Sequence, residues 1–239
     1  MTVDQSRPPL PAGIDTEIVI VGGGLSGTLA ANVLGRAGYQ VTLVDRYLLV
    51  PWEVRGRRGA DDQMAKLCRF GPPDTLGTAA RVLDEIVDVL KGRLRDRTHA
   101  GHYGLFYDDL VGAMRAELPE NVRFIAGRVN ALEAGADRQR VSILGQGDVT
   151  ARLLVLATGM GDILKRDLGI ERRFVHQRQS LTFGFNLRPA GVSAFKHPAL
   201  TYYGERTSDG IDYLNLFPAA DVTRANLFVF RDHRDPWVK

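Results

Sequence analysis

The stretch Ile18-Val-Ile-Val-Gly22-Gly-Gly24-Leu-Ser-Gly27-Thr-Leu-Ala, followed by Val41-Thr-Leu-Val-Asp45, decides the fold. Ile18–Val21 is a short, continuous β-branched run, the pattern of a strand covered on both faces. Gly22-Gly23-Gly24 stops it. Leu25 to Ala37 has helical periodicity, with Leu25, Leu29 and Val33 on one stripe, and Gly38 closes the helix. Val41–Val44 is a second apolar run that ends in Asp45. Strand, glycine turn, helix and strand in so short a span form a βαβ unit with its two strands parallel.

The glycine spacing carries chemistry. In Gly22-x-Gly24-x-x-Gly27 the first glycine permits the tight turn out of the strand. The second lets the backbone approach a pyrophosphate, and the third lets the helix pack on the sheet. The helix start then offers N–H groups and a positive dipole end to phosphates. Gly23 and Ser26 complete the loop. Asp45 stands about 20 residues past the middle glycine, where a carboxylate accepts ribose hydroxyls, and Arg46 follows it. A glycine-rich turn without a ligand is the bland alternative. The placement between strand and helix, with an acid at this offset, favours a dinucleotide.

Composition sets the class. The chain has 239 residues, 44% of them hydrophobic, which is enough for a packed core and excludes a disordered chain. The net charge is +3 and no long run of like charges marks a nucleic-acid tail. A lone cysteine, Cys68, forms no intrachain disulfide, which fits a reducing, cytoplasmic setting; it reads as a small apolar filler. Residues 1–15 read as a polar, proline-rich arm without the apolar core of a signal peptide, and no apolar stretch is long enough to span a bilayer. His99 and His102 lack a third ligand, so no metal is expected.

Beyond Asp45 the alternation of strand and helix breaks off. Residues 46–60 read as a loop carrying Arg46, Arg55, Arg57 and Arg58. Asp61 would cap a short helix with Met64 and Leu67, and 75–90 reads as helical or mixed. Tyr107–Leu118 reads as a helix, with Leu110, Met114 and Leu118 four apart. Strands are expected at Val122–Ala126, twice within 128–144, and as a buried run at Leu153–Leu156 leading into Ala157-Thr158-Gly159. From Phe174 the pattern changes to alternating runs at Ser180–Leu187, Tyr213–Phe217 and Asn226–Phe230, separated by Ser208-Asp-Gly210 and Pro218, as in an antiparallel sheet. Tyr202, Tyr203, Tyr213, Phe217 and Phe230 suit the core of such a sheet more than an aromatic pocket.

The long insertion between Asp45 and Leu153 distinguishes the chain from a plain NAD domain. Here it resembles the FAD-dependent monooxygenases of the para-hydroxybenzoate hydroxylase type. The resemblance rests on Val19–Ala30 with Asp45, on Leu153-Leu-Val-Leu-Ala-Thr-Gly-Met-Gly-Asp-Ile-Leu-Lys-Arg-Asp-Leu-Gly-Ile170, on the helix from Tyr107, and on the sheet after 174. It implies an α/β fold with a Rossmann-like FAD-binding domain of the two-dinucleotide-binding type over 1–173, with an irregular insertion at 46–120. Residues 174–239 would be part of an antiparallel substrate-binding layer, C-terminally incomplete. It implies FAD as cofactor, NAD(P)H as electron donor, O2 as co-substrate and a small, aromatic substrate. Gly22, Gly23, Gly24, Ser26, Gly27, Asp45, Arg46, Arg55, Val129, Ala157, Thr158 and Gly159 are the expected cofactor contacts. No catalytic side chain is expected, because the cofactor carries the chemistry.

The chain departs from the family pattern in three places. Thr158 stands where the family often has the aspartate of Ala-Asp-Gly, Tyr107 stands where a helix-leading arginine is usual, and no Gly-Asp segment follows residue 174. Arg55, Arg57 or Arg58 could supply the missing positive charge. Other readings stay open: a flavin reductase or halogenase on the same scaffold, or a nucleotide-binding module without activity. The absence of Trp-x-Trp-x-x-Ile-Pro argues against the halogenase.

Overall fold

The computed structural model describes residues 13–51, 56–70, 80–176, 179–191, 195, 199–219 and 222–238. In chain order the elements are β1 (Ile14–Val21), α1 (Leu25–Arg36), β2 (Val41–Asp45), β3 (Gly56–Ala60), α2 (Asp61–Phe70), β4 (Ala80–Leu90), β5 (Arg93–Phe106), α3 (Tyr107–Ala116), β6 (Val122–Ala126), β7 (Val129–Ala134), β8 (Gln139–Ile143), β9 (Gly147–Leu156), α4 (Ile163–Asp167), β10 (Leu181–Leu187), β11 (Leu200–Tyr203), β12 (Ile211–Ala219) and β13 (Val222–Val229). They fall into two compact units. One takes in the described residues up to Pro51, Phe70 and Val111–Arg173; the other takes in those from 56 to Arg69, from 80 to Leu110 and from Phe174 onward.

The first unit is built on a six-stranded sheet in the order β6-β2-β1-β9-β8-β7. The pairs β6/β2, β2/β1 and β1/β9 are parallel, and β7, β8 and β9 form an antiparallel meander. Alternate residues of β1 supply two cores. Val19 and Val21 pack with Val44, Ile125 and Val149, while Ile18 and Ile20 pack with Val41, Leu43 and Ala31. Burial on both faces explains the unbroken apolar runs in β1 and β2.

Helix α1 presents to the protein the face made of Gly27, Thr28, Ala31, Asn32 and Gly35, all buried. The apolar stripe seen in the sequence is not this face, and Val33 is 36% exposed. Small residues win because they let the helix axis come close to the sheet; a Cβ on Gly35 would strike Val122. The buried Asn32 amide donates to the carbonyls of Thr28 (3.0 Å) and Met114 (3.1 Å), which ties α1 to α3. The run Leu153–Leu156 also differs from its expected full burial. Strand β8 pairs with β9 only from Gly147 to Ala151, so among the described residues 152–156 are paired on the β1 side alone, and Leu153 is 51% exposed.

The second unit holds a seven-stranded sheet in the order β10-β13-β12-β11-β4-β5-β3. It is antiparallel except where β11 runs parallel to β4, and β11 had no counterpart in the sequence reading. The insertion is more regular than its composition suggests. The expected loop at 46–60 ends in β3, and the helical or mixed stretch at 75–90 becomes β4 from Ala80. Leu83, Ile86, Val87 and Leu90 have the spacing of a helical face. An irregularity between Leu83 and Glu85 in the pairing with β5 instead brings Leu83 and Ile86 into one cluster, with Ala199 and Phe217. Lys91 and Gly92, with φ of 52° and 68°, make the two-residue turn into β5 that such a hairpin favours. Pro218 does not separate strands; it lies within β12, opposite Thr223. Phe217 is buried, Tyr213 stacks on Phe228 at 5.5 Å between centroids, and Phe230 is half exposed.

Candidate functional site

Because β6, β2, β1 and β9 are parallel, their carboxyl ends lie on one edge of the first unit's sheet, the edge where open α/β sheets receive ligands. Three backbone bonds gather the loops there. Gly22 N–H donates to Val44 O (2.8 Å), Ala157 N–H to Val21 O (2.8 Å), and Gly127 N–H to Asp45 O (2.7 Å). Gly22 has φ of +107°, and a Cβ at this position would meet the Ala157 carbonyl. A Cβ on Gly27 would strike the Gly22 carbonyl and come within 3.1 Å of the Ala157 Cβ. Both glycines are therefore required by contacts within the protein, and the start of α1 sits hard against the turn.

Helix α1 begins directly on the glycine turn. Its N-cap is Gly24, no side chain caps it, and no acidic residue stands in its first turn. The Thr28 hydroxyl donates to the Gly23 carbonyl (2.9 Å), bracing the loop from within the helix. Asp45 Oδ2 accepts the Gly23 N–H (2.6 Å) and Oδ1 accepts the Tyr47 N–H (2.8 Å), so the carboxylate is aimed by two backbone amides. A backbone-lined cradle, a helix start with a glycine N-cap and an oriented carboxylate suit the pyrophosphate and ribose of an adenine dinucleotide.

The sequence-derived residues divide by position. Gly22, Gly23, Gly24, Ser26, Gly27, Asp45, Ala157, Thr158 and Gly159 come together at this edge or lie in the loops that leave it. Ser26 is exposed and Gly23 and Gly27 are buried. Thr158 Oγ1 donates to Gly161 O (3.3 Å), and Lys165 Nζ donates to Gly159 O (2.8 Å). Val129 opens β7 just after Gly127 and is half-buried. Arg46 is exposed, its guanidinium 5.0 Å from the Tyr47 ring centroid. Arg55 lies outside the described residues. Arg57 and Arg58 belong to β3 of the second sheet. Among the described residues no group of three or more His, Cys, Asp or Glu side chains could hold a metal.

Arg115 escaped the sequence reading. It lies near the end of α3, whereas the family pattern puts an arginine at the start of this helix. Its Nε and Nη2 donate to Gly23 O (3.0 and 2.5 Å), and its Nη1 donates to the carbonyls of Tyr47 (3.0 Å) and Leu48 (3.2 Å). Nη2 is also 3.5 Å from Asp45 Oδ1. The signal was a glycine at position 23, where the motif demands none.

Residues 15–101 match the FAD binding domain family. Solved structures agree. p-Nitrophenol 4-monooxygenase PnpA from Pseudomonas putida DLL-E4 superposes with a TM-score of 0.74 at 17% identity, over 94% of this chain and 59% of that one. P. aeruginosa PqsL, solved with 2-aminobenzoylacetate, gives 0.68 at 18% identity, over 92% and 62%. The tetracycline destructase Tet(55) gives 0.60 at 14% identity, over 93% and 58%. No curated protein matches the chain. These likenesses show the fold, the FAD-binding fold of the para-hydroxybenzoate hydroxylase type. The chain spans about three fifths of the length of these structures. Among its described residues no helix is long and apolar enough to cross a membrane.

Proposed function

We propose that the protein is an FAD-dependent monooxygenase that hydroxylates a small, aromatic substrate with NAD(P)H and O2 in the cytoplasm. The observation that carries the reading is the cradle at the carboxyl edge of the parallel sheet, where the glycine turn, the Gly24 N-cap of α1 and the amide-held Asp45 carboxylate meet. A match to the FAD binding domain family over the same glycines supports it, as does the fold shared with p-nitrophenol 4-monooxygenase.

In this reading the Gly22–Gly27 turn and the start of α1 receive the pyrophosphate, and the Asp45 carboxylate accepts the adenosine ribose hydroxyls. Val129 lies against the adenine end. Ala157, Thr158 and Gly159 border the chain that leads to the flavin ring. Ser26 and Arg46 flank the phosphates and the ribose, and Arg55 adds positive charge. Bound FAD would supply the redox chemistry, taking two electrons from NAD(P)H and activating O2. One oxygen atom would enter a substrate C–H bond and the other leave as water, with one proton taken up as NAD(P)H becomes NAD(P)+. The protein's part is to bind, orient and exclude water.

The test is the visible spectrum of the purified protein. The reading expects flavin bands, or their recovery when the apoprotein is mixed with FAD, bleaching by NAD(P)H without oxygen, and faster bleaching with a phenolic substrate. A protein that stays colourless in excess FAD overturns it. A flavoprotein that NAD(P)H reduces but that transfers no oxygen to any phenol points instead to a reductase on this scaffold.

A further inference from the structure

The geometry points to Arg115 as a positioning residue of the dinucleotide site, acting through Gly23 and Asp45 rather than on the nucleotide itself. The inference rests on the FAD reading above. It begins with the fork of the guanidinium. Two of its nitrogens converge on Gly23 O at 3.0 and 2.5 Å, and the third reaches the carbonyls of Tyr47 and Leu48 at 3.0 and 3.2 Å. One side chain thus fastens the turn after β1 to the segment after β2. A lysine ammonium, a single point of donation, cannot span both sides of this junction at once.

The direction imposed on Gly23 O matters for the ligand. A trans peptide points its C=O and the following N–H in opposite directions. Arg115 on one side and the Thr28 hydroxyl hold the Gly23 carbonyl inward, so the Gly24 N–H is turned outward. Gly24 is the glycine at which the backbone nears the pyrophosphate. The same guanidinium flanks Asp45 at 3.5 Å, while Gly23 N–H holds the other carboxylate oxygen. Both partners of the nucleotide are set by contacts that meet at Arg115.

Position 23 records the arrangement. The motif leaves it unconstrained, yet a Cβ there would lie 2.8 Å from Arg115 Nη2 and 2.9 Å from Asp45 Cβ. Glycine 23 and arginine 115 occupy one space between them. The guanidinium is supported from behind by the Phe124 ring, 4.9 Å from its centroid, and the Arg115 side chain is only 10% exposed.

The experiment measures FAD and ADP affinity by calorimetry on the intact protein and its Arg115→Lys, Arg115→Ala, Asp45→Asn and Arg115→Lys/Asp45→Asn variants. Loss of charge-assisted bonds predicts a fall of about 10- to 100-fold in both affinities for Arg115→Ala and a smaller fall for Arg115→Lys. In Arg115→Lys the melting temperature without ligand should stay near that of the parent, and its effect should shrink when Asp45 is already Asn. A purely structural role would lower the melting temperature and leave the two effects independent; that result overturns the inference. Parent-like ADP and FAD affinity in Arg115→Lys and Arg115→Ala also overturns it. Should Arg115→Ala not fold, Arg115→Lys and its pairing with Asp45→Asn decide alone. A parent protein that binds neither FAD nor ADP refutes the FAD reading itself, a distinct outcome that takes this inference with it.

Discussion

Replacing Gly27 by alanine asks whether α1 is seated as described. The added methyl would strike the Gly22 carbonyl and press on the Ala157 Cβ at 3.1 Å, and neither neighbour is the free end of a flexible side chain. The helix must withdraw from the turn. Overpacking of this kind costs about 1–3 kcal/mol, which for a chain of this size lowers Tm by roughly 2–12 °C. Withdrawal also takes the helix start away from the phosphates, so FAD affinity should fall by about tenfold or more. Gly112 is the internal control. It lies in α3, its exposed site offers nothing within 4 Å to a Cβ, and alanine there should stabilise by about 0.4–1 kcal/mol. Thermal melts followed by circular dichroism, with FAD titrations by flavin fluorescence, compare the two. If Gly27→Ala melts at or above the parent and binds FAD equally well, the close seating of α1 on the turn is wrong.

Other substitutions probe the packing in each unit. Asn32→Asp replaces an amide that donates to two carbonyls with a buried carboxylate, and should cost about 3 kcal/mol at pH 7. Burial raises the pKa of such a carboxyl, so the charge part of the penalty is absent below the unfolded pKa of about 3.9, grows as pH rises from there and is complete above the folded value; the one O–H of the protonated acid still leaves one of the two carbonyls without its donor. Urea melts at acid and neutral pH read it directly. Arg224, fully buried in β13, donates to Asn186 Oδ1 at 2.6 Å, and its guanidinium lies 5.9 Å from the Phe106 ring centroid. Arg224→Ala should destabilise by about 2–4 kcal/mol and Asn186→Ala by about 1–2, measured by chemical denaturation. Hydrogen bonds from the Arg234 side chain and then its backbone N–H pull the Asp232 carboxyl from 3.8 to about 2. Its contribution to stability is present above the unfolded pKa and is lost as pH falls towards about 2. An NMR titration should find this low midpoint, and Arg234→Gln should return it towards 3.8.

The parts of the fold legible in the sequence were those fixed by local pattern. Ile18–Val21, the glycine turn and Val41–Asp45 are contiguous, and each glycine answers to a neighbour a few residues away or to the adjacent strand. The residues of the cradle were legible for the same reason. What escaped depends on contacts distant in the chain. Leu83, Ile86 and Val87 imitate a helix because only an irregular pairing with β5 makes them a strand. Strand β11 has four residues, and its place is set by β4 and β12 on either side. Arg115 is not legible in the sequence because its partner Gly23 lies 92 residues earlier and it stands at the opposite end of α3 from the family's usual arginine. The packed face of α1 was misread because apolar periodicity marks bulk, whereas this contact needed small side chains.

The half-bare strand β9 has a consequence for handling the protein. From Arg152 to Leu156 one flank carries a row of peptide donors and acceptors, paired among the described residues only towards β1, beside the exposed Leu153. Such a flank is a template on which another chain can zip in register. Self-association of concentrated samples along this line is the expected result. A lysine at position 153 is the conservative route to better-behaved material, because it puts charge on the flank and leaves the buried positions of the strand untouched.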